Sequence, residues 1–248
     1  LTGITEPGQQ ILNLAAKVMQ QVDNIRRVGD EFANIETGTL TIATTHTQAR
    51  YKLPTAVKTF MTQFPHVKLN IHQGNPKQVA EQVANGDADI GIATEYISDF
   101  ENLLCLPCYK WNRCVVVPQG HPLLLESNLS LKKLAAYPLI TYDFGFTGGT
   151  LVSTTFSNAG LTPNVVLTAI DADVIKTYVD VGLGIGIIAG VAYEPLRDTN
   201  LVSIPCGHLF GVQTTRVALK SGVFLRDYVY TFIAMLTPEL SETEIRLT

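Results

Sequence analysis

Apolar residues in the first 38 positions recur at three- and four-residue steps: Ile11, Leu14, Val18, Val22 and Ile25, then Phe32 after a wider gap. Polar and charged residues fill the intervals, a pattern that predicts one long amphipathic helix. Thr5 is placed to cap it, and Glu6 and Pro7 suit its first turn, where a carboxylate complements the helix dipole and proline loses no needed hydrogen bond. A helix in this position either packs on its own domain or pairs with another subunit. A stripe that precedes the first strand and ends near Gly38 favours pairing.

From Thr39 the period shortens to two. Residues 39–44 alternate, 54–64 read as helix, and 67–72 alternate again with Val67, Leu69 and Ile71 on one face. Asn75 and Pro76 cap a helix that stops at Asn85 and Gly86, and 89–94 is a buried strand ending in Thr94. This is a βαβαβ unit with a parallel sheet. After a polar and aromatic connector at 109–112 a second unit begins. It has a strand at 113–117, a short helix capped by Ser130, a strand at 138–142, a glycine-rich turn at 144–149 opening a helix to about Asn158, a strand at 165–168, a helix at 171–181 and a strand at 185–188. A last strand at 215–219 and a helix at 223–236 return to the first unit. The order implies an α/β fold: two Rossmann-like lobes joined by crossing strands, with a cleft between them, preceded by the long helix. The expected divisions are 1–38 for the helix, 39–108 plus 212–248 for lobe I, and 109–211 for lobe II.

Size and charge narrow the function classes. The 248 residues are 46% hydrophobic and 16% charged, enough for real cores in both lobes. A net charge of −4 and a pI near 5.7 argue against a nucleic-acid surface spread over these residues, since phosphate binding needs clustered Lys and Arg. No apolar run reaches the roughly 18 residues of a membrane span, and no leader precedes a cleavage site, so neither spanning nor secretion is expected. Cys105, Cys108, Cys114 and Cys206 are too few for a disulfide scaffold at this length, and a reducing compartment is the simpler expectation.

The motifs that invite catalytic or cofactor readings do not hold together. Gly182, Gly184 and Gly186 form GLGIG, but the motif follows a helix and enters a strand, the reverse of a dinucleotide fingerprint. Cys105, Cys108, Cys114 and His121 have spacing that could describe a zinc site, yet their flanks are apolar and buried free cysteines are expected. No HExxH or GxSxG motif is present. His46 is expected to be exposed or to stand behind ligand contacts, and Asp171, Asp173 and Lys176 to complement a helix dipole and form a surface pair. Trp111, the only tryptophan, is either hinge packing or a ligand wall.

The threonines carry more. In IATTHTQARY at 42–51 an apolar strand runs into uncharged hydrogen-bonding side chains where a helix begins, and unpaired N–H groups there suit a small anion. Thr45, Thr47, Gln48, Thr94 and Thr147 all occupy strand ends or helix starts, drawn from both lobes, and so converge on one cleft. Neutral donors in that arrangement suit a permanently ionised small anion or a zwitterionic metabolite. No catalytic residue or metal ligand is expected.

These residues also carry a family resemblance. ATTHTQARY, IATE at 92–95, PCYKWNR at 107–113, TYDFGFTG at 141–148 and DADVIKTYV followed by GLGIG at 171–186 resemble the LysR-type transcriptional regulators, and within them the cysteine-regulon branch. LTGITEPGQQIL at 1–12 resembles the end of that family's winged-helix region and the start of its linker helix, the DNA-reading helix being absent from the chain. The resemblance implies a periplasmic-binding-protein-like fold of type 2 and a cytoplasmic, homo-oligomeric regulator of sulfur assimilation and cysteine biosynthesis. It implies no cofactor. Its effector would be sulfate, O-acetylserine or N-acetylserine, held by the residues matching Thr45, Thr47, Gln48, Thr94 and Thr147, and promoter DNA and RNA polymerase would be partners of the full-length protein. One departure stands beside the cleft: Gly149 and Thr150 replace an arginine and a serine common in the family. On fold alone a solute-binding transport protein for a small anion is the competing expectation, and an enzyme comes third.

Overall fold

The computed structural model describes residues 3–33, 37–94, 96–143 and 147–246. In chain order, α1 (Glu6–Phe32) leads into β1 (Gly38–Thr44), α2 (His46–Tyr51), α3 (Leu53–Gln63), β2 (Val67–Gln73), α4 (Pro76–Asn85), β3 (Ile90–Ala93) and β4 (Leu103–Trp111). The chain then crosses into β5 (Arg113–Pro118), α5 (Leu131–Leu134), β6 (Leu139–Tyr142), α6 (Thr147–Asn158), β7 (Val165–Ala169), α7 (Ala172–Asp180), β8 (Ile185–Ala189), β9 (Leu201–Pro205) and α8 (Gly207–Phe210). It returns through β10 (Gln213–Lys220), α9 (Asp227–Leu236) and α10 (Glu242–Arg246). Of the glycine-rich turn expected at 144–149, residues 144–146 lie outside the described residues, as does the side chain of Thr147.

Two five-stranded sheets result, ordered β2-β1-β3-β10-β4 and β7-β6-β8-β5-β9. Each repeats one plan. Three parallel strands (β2, β1, β3 or β7, β6, β8) are flanked by one strand that runs antiparallel to them (β10 or β5), and an edge strand (β4 or β9) pairs antiparallel with that one. The first sheet packs Leu40, Ile42, Phe60 and Phe232 on one face and Val79, Val83 and Ile97 on the other; the second does the same with Val115, Leu139 and Phe156 against Cys114, Ile140 and Ile175. Phe232 stands edge-on to Phe60 with ring centroids 5.2 Å apart, which locks α9 against α3. Among the described residues no helix is long and apolar enough to cross a membrane.

Glycine in GLGIG serves packing. Gly182 ends α7 at φ +83°, and a Cβ on Gly186 would lie 2.7 Å from Val116 Cγ2 and 2.9 Å from Ile175 and Val179, so α7 rests directly on β8.

Two expectations are corrected, and one strand was not expected. Tyr109, Lys110 and Trp111 are not a connector but the end of β4, paired with Thr215, Thr214 and Gln213 across a bulge at Thr215/Arg216. Their aromatic and aliphatic stems suit a half-buried strand. The last helix starts at Asp227 and not at 223, because 223–226 runs out to meet α1. The edge strand β9 had no expected counterpart, since its five residues are only partly buried and end in Pro205.

The long helix forms as its stripe requires, with the Thr5 hydroxyl accepting from Gly8 N at 3.3 Å. Its apolar stripe, however, faces away from lobe I: Ile11, Leu14, Val18, Ile25 and Phe32 are all more than 60% exposed. The contact with lobe I is polar. Gln20 donates to Ser221 O at 3.2 Å, Asn24 donates to Gly222 O at 2.9 Å and accepts from Phe224 N at 2.8 Å, Arg27 pairs with Asp89 at 3.1 Å, and Arg226 pairs with Glu31 at 3.0 Å.

Candidate functional site

The strand ends of lobe I bring Gln48 and Thr94 to one hydroxyl, that of Thr215. β1 and β3 are parallel neighbours, so Thr45 and Thr94 leave the sheet on the same side. Thr45 is the N-cap residue of α2 in extended conformation, yet its hydroxyl makes no capping bond. One turn on, Gln48 is 2% exposed, and its amide is fixed at both ends: Oε1 accepts from the Tyr109 hydroxyl, and Nε2 donates to Thr215 Oγ1 at 3.5 Å.

Thr215 is the hub. Its Oγ1 lies 3.3 Å from Thr94 Oγ1 and accepts from Trp111 Nε1 at 3.1 Å, joining β3, β4, β10 and α2 through one fully buried hydroxyl. Strand register explains the meeting, since Ala93 pairs with Arg216 and Tyr109 with Thr215. Of the two expected roles for Trp111, hinge packing or ligand wall, the structure gives it a hydrogen bond at the lobe crossing.

The second lobe meets this cluster through Thr47 and Tyr142. Tyr142 ends β6, its hydroxyl accepts from Ala189 N at 3.2 Å, and it also bonds the Thr47 side chain. Burial pushes the phenol's pKa up; Ala189 N–H, the nearby Arg113 charge and Thr47 pull partly the other way. Thr147 opens α6, with its side chain outside the described residues. Gly149 leaves no room for a side chain as the backbone stands: a Cβ there would lie 2.3 Å from Tyr142 O and 2.5 Å from Asp143 O. The neutral character expected of the cluster is also modified. Arg113, 2% exposed, stacks over Trp111 with Cζ 5.4 Å from the ring centroid, and Lys52 lies 4.8 Å from the Tyr109 ring. Sequence reading treated Arg113 only as the start of a strand.

Beside the cluster, the last turn of α2 grips lobe II. Tyr51 donates to Asp173 Oδ1 at 2.6 Å and accepts from Lys176 at 3.0 Å, and Arg50 pairs with Asp173 at 2.8 Å. Lys176 is 6% exposed and also donates to Asp198 at 2.8 and 2.9 Å and to Ala192 O at 2.9 Å. The expected surface pair is thus a buried bridge, while Asp171 caps α7 as expected, accepting from Val174 N at 2.9 Å. His46, Asp171 and Asp173 each place a ligand atom within 4.8 Å of the others, a composition that could hold a cation. Arg50 and Lys176, 2.8 and 3.5 Å from Asp173, supply positive charge there already. A polar cavity of about 310 Å³ opens alongside, lined by Arg50, Asp173, Arg197 and Asn200 among others.

The four thiols are dispersed. Cys108 donates to Leu236 O at 2.7 Å in one core, Cys105 donates to Ile97 O at 3.3 Å, and Cys114 and Cys206 lie in separate cores of lobe II. Burial pushes the Cys108 and Cys206 thiols up to about 12 and Cys114 to about 11.

Comparison with known proteins places this geometry. Residues 33–241 match the family described as LysR substrate binding domain. The chain is 50% identical to the transcriptional regulator SsuR of Burkholderia cenocepacia over 99% of its own length and 80% of that protein's, and 52% identical to CysB of the same organism over 96% and 76%. It is 43% identical to the regulator Cbl of Escherichia coli over 99% and 78%. The solved cofactor-binding domain of Cbl superposes with a TM-score of 0.80 at 43% identity, covering 85% of this chain and 92% of that one. An effector-binding domain of QuiR in complex with shikimate, 18% identical, shares the fold with a TM-score of 0.70 over 82% of this chain and 97% of that one. With two α/β lobes of type 2 periplasmic-binding-protein-like architecture and these relatives, the chain belongs to the LysR-type transcriptional regulators and carries their effector-binding domain.

Proposed function

We propose that this chain is the sensing part of a cytoplasmic LysR-type regulator of sulfur assimilation and cysteine biosynthesis genes. Its effector is a sulfate-like anion or an acetylserine, bound between the lobes by Thr45, Thr47, Gln48, Thr94 and Thr147. The observation that carries the reading is the Thr215 hub, which holds Gln48 and Thr94 at the strand ends beside the uncapped start of α2. Donors fixed in advance suit an anion, because little ordering remains to be done when it binds. The names of the relatives, CysB, Cbl and SsuR, support the sulfur assignment.

Effector binding shifts the regulator only if it favours one lobe or subunit geometry over another, and the α2 bridge to lobe II joins the lobes where such a change would act. The outward stripe of α1 is the self-association surface, bringing copies together so that DNA-binding segments can be repositioned at promoters in reach of RNA polymerase. Domain limits follow: α1 for association, and the two sheets as lobes I and II.

Calorimetric titration with sulfate, O-acetylserine and N-acetylserine tests the site. Thr47→Val keeps the shape and removes a donor, so anion affinity should fall by about 1 to 3 kcal/mol. Unchanged binding in this variant removes Thr47 from the site.

A further inference from the structure

We infer that Arg113 is the specificity-determining residue of the interlobe site: its buried guanidinium, seated where the two hydrogen-bonded arms of the threonine cluster meet, sets a preference for ligands of net negative charge. The inference rests on the proposal that the cleft is the effector site.

Both arms lead back to this one side chain. Along the first, Arg113 stacks on Trp111, whose Nε1 donates to Thr215, and Thr215 touches both Gln48 and Thr94. Along the second, Arg113 is the cross-strand partner of Ala189, whose N–H donates to the Tyr142 hydroxyl, and Tyr142 bonds Thr47. The charge of Arg113 also acts on that phenol directly. Two residues therefore stand between the guanidinium and the donors on each arm, Trp111 and Thr215 on the first, Ala189 and Tyr142 on the second.

An arginine stays protonated when buried, so the charge is permanent. Away from water, the Coulomb interaction with a nearby anion is several times stronger than at an exposed site. Neutral threonine and amide donors accept any oxygen ligand of suitable shape; a fixed charge behind them discriminates by charge. The rim contributes none at position 149, where the glycine lies against Tyr142 O and Asp143 O. A purely structural role would be different. Arg113 stands at the crossing between lobes, one residue after β4 and its following Asn112, and could serve only to pack that junction.

Titration of this chain and its variants separates the roles. The probes are sulfate, N-acetyl-L-serine and O-acetyl-L-serine, which carry two, one and no net negative charges at neutral pH. Arg113→Met should weaken sulfate at least about tenfold, the monoanion less and the zwitterion least, while Arg113→Lys restores sulfate to within about threefold. Equal losses for all three ligands, unchanged sulfate binding in Arg113→Met, or Arg113→Lys as weak as Arg113→Met overturns the inference. Thr94→Val is run in parallel. If sulfate weakens in Thr94→Val but not in Arg113→Met, the cleft stands and the role of Arg113 falls; if neither variant changes sulfate binding, or the unaltered chain binds none of the probes, both fall. Should Arg113→Met not melt cooperatively, Arg113→Gln takes its place. If that also fails, affinities of the unaltered chain decide, with the order of net charge required and the reverse order overturning.

Discussion

At the residue scale, Thr215 shows how much one hydroxyl organises. Replacing it with valine leaves Trp111 Nε1 and the Gln48 amide without their shared acceptor inside a buried cluster. Thr215→Val should therefore lose about 1 to 3 kcal/mol of stability in urea denaturation, beyond any effect on ligand affinity. Nothing in the sequence marked this residue, because threonine in a strand is an ordinary β-former and Thr94 is 121 residues away. Thr45, Thr47, Gln48 and Thr94 were legible for the opposite reason: each sits where a strand stops or a helix starts, positions that period changes reveal. The cysteines were legible as buried apolar residues, and their chemistry follows. With Cys114 near 11 and Cys108 and Cys206 near 12, their thiolates are scarce at pH 8. Ellman's reagent at that pH should label the folded protein slowly and at Cys105 first, and all four thiols only in denaturant; rapid labelling of Cys108 contradicts the burial.

At the element scale, α2 is six residues serving two lobes, its first turn in the threonine cluster and its last on α7. Tyr51→Phe removes one donated and one accepted hydrogen bond across the lobes while Arg50 keeps Asp173 and Asp198 keeps Lys176. About 1 to 2 kcal/mol of stability should be lost, measured by denaturant titration. The pH dependence has a definite sign. Burial raises the Tyr51 phenol above its usual 10.0; for Lys176 burial acts downward, but the hydrogen bonds it donates to Asp198 and Tyr51 outweigh it and raise it above 10.5. Groups raised on folding stabilise fully below their unfolded values and lose that contribution as pH climbs through the folded ones. The difference between Tyr51→Phe and the unaltered chain should therefore stay flat through neutrality and shrink only above about pH 10. The sequence read Asp173 and Lys176 as a surface pair because their three-residue spacing is all that one helix reveals. Their partners Tyr51 and Asp198 come from elsewhere in the chain.

At the scale of the whole molecule, repeated strand-helix-strand order made the two sheets readable, since parallel strands joined by helices leave few topologies open. The crossing was harder. Its strands β4 and β10 run antiparallel and carry mixed aromatic and polar residues, so their ends blurred into a connector. Asn112 marks the turn between the lobes, tightly enclosed: Gly190 N donates to Asn112 O at 2.8 Å, and a Cβ on Gly207 would come within 2.7 Å of the Asn112 side chain. The periodicity of α1 was equally plain, and with its apolar stripe expected to pair with another subunit, what the polar face would touch stayed open. Carbonyls at 221–222 and the acidic Asp89 meet that face.

The polar seam under α1 has a thermodynamic consequence. Heat capacity of unfolding tracks newly wetted apolar surface, and the stripe of a lone protomer is wet already. Scanning calorimetry of dilute protein should give nearly the same heat-capacity step with or without residues 1–33. At concentrations where copies pair through the stripe, the full chain alone should show a larger step, and the excess then measures how much of that face each helix hides.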